Sequence, residues 1–153
     1  MTDTQSQEPA ASATSTTRTG RSDPSDPKTA STGAADFADR WSAFWAEPDP
    51  ASLGTLSHPE IVLHWPGRPE PIVGLDHWQA QVAGTLERFP DLRLRVTAHA
   101  RSGSVVFIGW EATATVDGRT AVWEGVDRMR LVGGLVVEST VVFDTAALRG
   151  RSA

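Results

Sequence analysis

The chain has 153 residues, no cysteine and a formal net charge of −5. That length supports one domain with its own core, and the charge argues against a nucleic-acid groove. Without cysteine there are no disulfides, no thiolate catalysis and no cysteine-based zinc site. No apolar run approaches a membrane span and the N-terminus lacks the basic and apolar blocks of a signal peptide, so the expected compartment is the cytoplasm.

Residues 1–33 are rich in Ser, Thr, Ala and Pro and nearly empty of large apolar side chains. Such a segment cannot bury enough surface to offset its ordering entropy and is expected to be a disordered leader. The folded domain is expected over 34–148, with a flexible end at 149–153.

Phe37, Trp41, Phe44 and Trp45 fall at helical spacing and predict an amphipathic helix that Pro48 terminates. Asp49-Pro50 is a suitable N-cap and first-turn pair for a short second helix through Leu56. Ile61 to Trp65 reads as a strand, followed by a Pro/Gly loop from Pro66 to Gly74. A third helix is expected from Asp76 to Arg88, with Trp78, Val82, Leu86 and Phe89 on one stripe.

After Pro90 the period changes from helix to strand. Leu92, Leu94 and Val96 alternate with Arg93, Arg95 and Thr97, and a long strand follows from Ser104 to Val116. Asp117-Gly118 is a strong hairpin signal. The next strand presents Trp123, Gly125, Asp127, Met129 and Leu131 on one face, and Glu124, Val126, Arg128 and Arg130 on the other. Gly133-Gly134 precedes a last strand from Leu135 to Asp144, whose face Leu135, Val137, Ser139, Val141, Phe143 is apolar apart from one serine. Helices followed by an antiparallel meander predict an α+β domain, a curved sheet wrapped over three N-terminal helices to enclose a conical pocket.

Asp127 is the most informative residue. A carboxylate on an apolar face is costly unless it is bound or protonated, so Asp127 either makes a buried structural contact or does acid–base chemistry in a pocket. His64 is the second candidate, because imidazole titrates near neutral pH and is a natural base; a rim histidine held by a loop is the plainer reading. Together, one group could remove a proton while the other stabilises the oxygen of an enolate. Six tryptophans in a chain this small suit a pocket for flat apolar ligands. Trp41, Trp45 and Trp78 lie on helix stripes and read as core. Trp41, Trp65 and Trp123 are the expected pocket lining, joined by Met129, Ser139, Val141 and Phe143 from the inward strand faces. His58, His77 and His99 have no metal-ligand spacing with one another or with His64, so no metal and no cofactor is expected.

The segment Val126-Asp127-Arg128-Met129-Arg130-Leu131, then Gly133-Gly134-Leu135-Val136-Val137-Glu138, resembles a pattern of the nuclear transport factor 2-like superfamily. His64-Trp65-Pro66-Gly67, Ile72-Val73-Gly74 and Phe89-Pro90-Asp91-Leu92 extend the resemblance to its SnoaL-like members over most of 34–148. The superfamily includes ketosteroid isomerases and SnoaL-like polyketide cyclases, so the resemblance implies a cone-shaped α+β fold. By the same resemblance, Asp127 stands where isomerases keep a protonated Asp and cyclases an acid/base Asp, His64 where isomerases keep their base, and Trp41 where they keep a Tyr. The chain contains no tyrosine. Limonene epoxide hydrolases share the fold but use an Asp-Arg-Asp set, and Val141 occupies the last-strand Asp position. The implied function is binding of a small hydrophobic carbonyl or polycyclic compound, with cofactor-free isomerisation or cyclisation by His64 and Asp127. The other reading is a non-catalytic ligand-binding or dimerisation module. The face bearing Glu124, Arg128 and Arg130 would carry a homodimer contact, with no nucleic-acid or membrane partner.

Overall fold

The computed structural model describes residues 27–148, with side chains described from Asp36 to Ala146. Helix α1 spans Pro27–Ala46, so it begins inside the expected leader; 1–26 and 149–153 lie outside the described residues. Phe37, Trp41, Phe44 and Trp45 are all buried, as their spacing requires. After α1, Asp49 caps a 3₁₀ turn, Pro50–Thr55, by accepting a hydrogen bond from the Ala51 N–H at 3.0 Å. Arg40 on α1 donates to the carbonyl of Thr55 and, at 3.3 Å, to that of Gly134, tying the helix to the sheet.

Strand β1 (Ser57–His64) pairs with the two-residue β2 (Ile72–Val73), and helix α2 (Leu75–Arg88) follows. Asp76 in its first turn and Arg88 in its last suit the helix dipole, and Pro90 stops it. Four long strands complete the domain: β3 (Arg93–Ser102), β4 (Val105–Val116), β5 (Arg119–Val132) and β6 (Leu135–Phe143). The β4–β5 turn places Asp117 and Gly118 at φ 50° and 73°, the left-handed pair a two-residue hairpin needs.

The sheet order is β2-β1-β6-β5-β4-β3. Every pairing is antiparallel except β1 with β6, which run parallel, so the sheet is mixed where a pure meander was expected. The parallel pair follows from topology: β1 must cross α2 and the meander before its partner arrives. Bulges interrupt the ladders at Val96/Ala98 and at Arg130/Leu131, bending the sheet around the helices. The second bulge also changes the phase of β6. Arg130 opposes Glu138 and Leu131 opposes Val136, so Val137 is the extra residue. Val136, rather than the expected Leu135 and Val137, is therefore buried ahead of Ser139.

α1 packs across β3, while α2 packs on β1 and the 3₁₀ turn. The core between helices and sheet joins Phe37, Leu53, Ile61, Leu63, Ile108 and Met129, each at most 1 % exposed.

Candidate functional site

The inner face of the sheet and the two helices leave a cavity whose wall includes all six tryptophans of the chain: Trp41, Trp45, Trp65, Trp78, Trp110 and Trp123. Asp127 completes the wall from β5 and is the cavity's one ionisable side chain among the described residues. Ser139, Val141 and Phe143 of β6 face it as well, and Phe89, Leu92 and Leu94, which lead from the end of α2 into β3, complete the wall. The cavity volume is about 60 Å³. A single water needs roughly 10–15 Å³ on such a measure, so the space takes a few water-sized groups.

Strand register explains how the wall is assembled. Gly125 lies opposite Trp110 on β4 and Phe143 on β6. The Trp110 and Phe143 rings sit 5.8 Å apart, and Trp110 occupies the space a side chain at 125 would take. A Cβ there would stand 2.8 Å from Trp110 Cε2 and closer still to two other ring atoms. Trp65 then closes edge-on against Phe143, with centroids 6.1 Å apart, and tilts against Trp78 at 6.0 Å.

Asp127 is 3 % exposed and has no cation beside it among the described residues. Burial pushes its carboxyl up to about 7, while the indole N–H groups of Trp110 and then Trp41 pull the other way. The pull is incomplete. Trp110 Nε1, Trp41 Nε1 and Asp127 Oδ1 are buried without a hydrogen bond of standard geometry, so the indoles lie near the carboxyl without fully ligating it. Nε1 of Trp45 and of Trp78 are also buried without partners. These N–H groups and Asp127 Oδ1 are thus buried within the wall, whose surface towards the cavity is almost wholly apolar.

The expected site residues divide into three groups. Asp127, Trp41, Trp65, Trp123, Ser139, Val141 and Phe143 come together around the cavity. Met129 does not: it is fully buried in the core below. His64 does not either. Leu63 points inward and His64 outward, exposed at the end of β1, so the expected His64–Asp127 pair is not assembled. The alternation of β1 already placed Ile61 and Leu63 on the face opposite His64, and those two residues are the ones the core takes.

Trp110, absent from the expected lining, is the principal omission, along with Trp45 and Trp78, which were read as core alone. Gly125 was the available signal. A glycine on the inner face of a strand marks a close approach by a neighbour, and the large residue across from it is Trp110.

Residues 38–139 match the family model described as SnoaL-like domain. The chain belongs to the SnoaL-like family. No curated protein matches it significantly. Solved structures of similar fold include AclR from Streptomyces galilaeus, a provisionally assigned hydroxylase, at 24 % identity and TM-score 0.65, covering 76 % of this chain and 78 % of that one. A provisionally assigned SnoaL-like polyketide cyclase from Jannaschia sp. CCS1 aligns at 19 % identity and TM-score 0.68, covering 76 % and 89 %. Wild-type IdmH from Streptomyces antibioticus, provisionally a polyketide cyclase, aligns at 21 % and 0.66, covering 74 % and 94 %. At these identities the likeness is one of fold, the α+β cone of SnoaL-like and ketosteroid isomerase-like proteins. No helix among the described residues is long and apolar enough to cross a membrane, and no group of three His, Cys, Asp or Glu there could hold a metal ion.

Proposed function

We propose that this SnoaL-like protein binds the carbonyl-bearing end of a small hydrophobic or polycyclic compound in the tryptophan-walled cavity, and that Asp127 moves a proton there without a cofactor. The observation that carries this reading is a buried carboxyl, with no cation beside it among the described residues, whose pKa burial raises to about 7 in the wall of an apolar, tryptophan-walled cavity. The unsatisfied indole N–H groups of Trp41 and Trp110 near the carboxyl favour a ligand that brings an acceptor oxygen to that end. With its pKa near 7, both forms of Asp127 are populated at neutral pH. The carboxylate can take a proton from a carbon beside the ligand carbonyl. The resulting acid can return the same proton at a second carbon, which is an isomerisation, or give it to an alkoxide formed by aldol-type ring closure. The indoles of Trp41 and Trp110 donate hydrogen bonds but cannot supply protons. The step therefore rests on Asp127 alone, without His64.

The experiment is a screen of enones and polyketide-like esters for conversion by the wild type and Asp127→Asn. Conversion lost in the variant while ligand still quenches tryptophan fluorescence supports the acid–base role; equal conversion by both removes it.

A second reading, a non-catalytic module that dimerises through the outer sheet face, is favoured by Val122, Val126 and Val142, which stand 44–61 % exposed there. Val126 and Val142 are cross-strand neighbours, flanked by Arg128 and Arg130 paired to Glu138. Concentration-dependent sedimentation of the wild type and Val142→Lys decides it: a dimer abolished by the lysine supports this face, and a wild-type monomer removes it. The proposed compartment is the cytoplasm.

A further inference from the structure

Among the described residues, Ser139 carries the one uncommitted hydroxyl of the cavity wall. The wall holds two hydroxyls, those of Thr85 and Ser139. Thr85 Oγ1 donates to the Gln81 carbonyl one turn back on α2, at 2.8 Å, and is thereby engaged. Ser139 has no such bond. It is 4 % exposed on the inner face of β6. Its neighbours in the sheet are Leu63 on β1 and Met129 on β5, both fully buried, and neither side chain offers a strong partner. The structure shows no hydrogen bond from its hydroxyl to any described residue. The hydroxyl of Ser57 is also buried without a partner, but it sits at the start of β1, outside this cavity's wall.

Register places Ser139 beside the buried carboxyl. Asp127 stands opposite Val141, and Ser139 is two residues along the same strand, so both side chains enter the cavity from one face of the sheet. Such diagonal neighbours are roughly 7–8 Å apart, and somewhat less at Cβ. A ligand group lying between them can touch both. A cavity of about 60 Å³ admits only a few atoms, so the oxygens that meet the two residues must be close together in the ligand.

We propose that Ser139 is a specificity-determining residue of this cavity: its hydroxyl binds a second oxygen of the ligand, carried one or two carbons from the carbonyl that lies beside Asp127. This rests on the proposed use of the cavity and adds the oxygen pattern of the ligand. A hydroxyl both donates and accepts, so the second oxygen is a hydroxyl or another carbonyl. An unmade hydrogen bond on a buried hydroxyl is costly, and the ligand oxygen completes it.

Titration calorimetry with indan-1-one and its 2-hydroxy and 3-hydroxy derivatives tests it. The wild type should bind at least one hydroxyketone roughly two- to tenfold tighter than the parent, the worth of one hydrogen bond. In Ser139→Ala, and in Ser139→Cys, which keeps nearly the same shape, that ratio should fall to about one. Without ligand, Ser139→Ala should unfold at a midpoint no lower than the wild type, because it removes a hydroxyl that no described residue satisfies. If indan-1-one binds but neither hydroxyl adds affinity, or the gain survives both substitutions, the Ser139 proposal falls and the cavity reading stands. A lower midpoint for Ser139→Ala also overturns it, since the hydroxyl then serves the fold. If none of the three ketones binds the wild type, the cavity reading falls and takes the Ser139 proposal with it.

Discussion

Two aspartates of this chain have opposite surroundings. Asp91, in the exposed turn before β3, accepts from the Thr115 backbone N–H at 3.0 Å to either oxygen, and from the Thr115 hydroxyl at 2.7 Å. Those donors, the hydroxyl first, hold its carboxyl below the usual range. Asp127, on the inner wall, has two indoles nearby that do not complete their hydrogen bonds, and exclusion of water raises its carboxyl to about 7. The difference shows what makes a carboxyl useful for proton transfer. Donors with water nearby stabilise the anion; a dry wall with incomplete donation leaves acid and anion close in energy.

The largest expected effect comes from breaking the inner wall. Gly125→Ala puts a methyl group into the Trp110 ring. It should destabilise the domain by about 1–3 kcal/mol and change the near-ultraviolet circular dichroism of the tryptophans. Urea unfolding with an unaltered midpoint and an unaltered aromatic spectrum would remove the claim that glycine is needed there.

The next effect is the pH dependence. The folded protein keeps a proton on Asp127 that the unfolded chain releases near 3.8, so stability falls as pH rises from about 4 to about 7 and levels off above. The contribution is on the order of a few kcal/mol. Asp127→Asn should abolish that fall, seen as a flatter difference between denaturation midpoints at pH 5 and pH 8; an unchanged slope would place the titration elsewhere. Asp91 acts in the opposite direction: its folded pKa is lowered, so its contribution is present above about 3.8 and lost as pH drops through that value and below.

Trp41→Phe sharpens the contrast further by keeping a ring while deleting one N–H near Asp127. The upper edge of the pH window should move to higher pH, at a stability cost within about 1 kcal/mol at pH 5. A window that stays in place would mean the Trp41 indole does not act on the carboxyl. Smallest of all is Asp91→Asn, expected to lower the melting temperature by a few degrees at pH 7 and by less at pH 3, since its exposed site is open to solvent screening.

Much of the fold was legible because each signal is local. Asp117-Gly118 and Gly133-Gly134 can adopt positive φ and form the turns that their positions predict. Alternation along β5 put Trp123, Asp127 and Met129 on one face, and all three are buried. The same alternation could not tell Met129 in the core from Trp123 in the cavity wall, because depth along a face is set by the helices above it. On β6 the bulge at Val137 shifted the inward phase, an irregularity that apolar side chains on both faces conceal.

By itself the sequence determined the elements, most strand phases, and the inward carboxyl at position 127. Periodicity acts through the geometry of one helix or strand, which decides the side of its own element that a residue occupies. Tertiary structure alone decided the rest. It ran β1 parallel to β6, and it brought tryptophans from both helices, from β4 and β5 and from the residue after β1 around one carboxyl. The raised pKa of Asp127 belongs to that second class, because it arises from excluding water, which no single element can do.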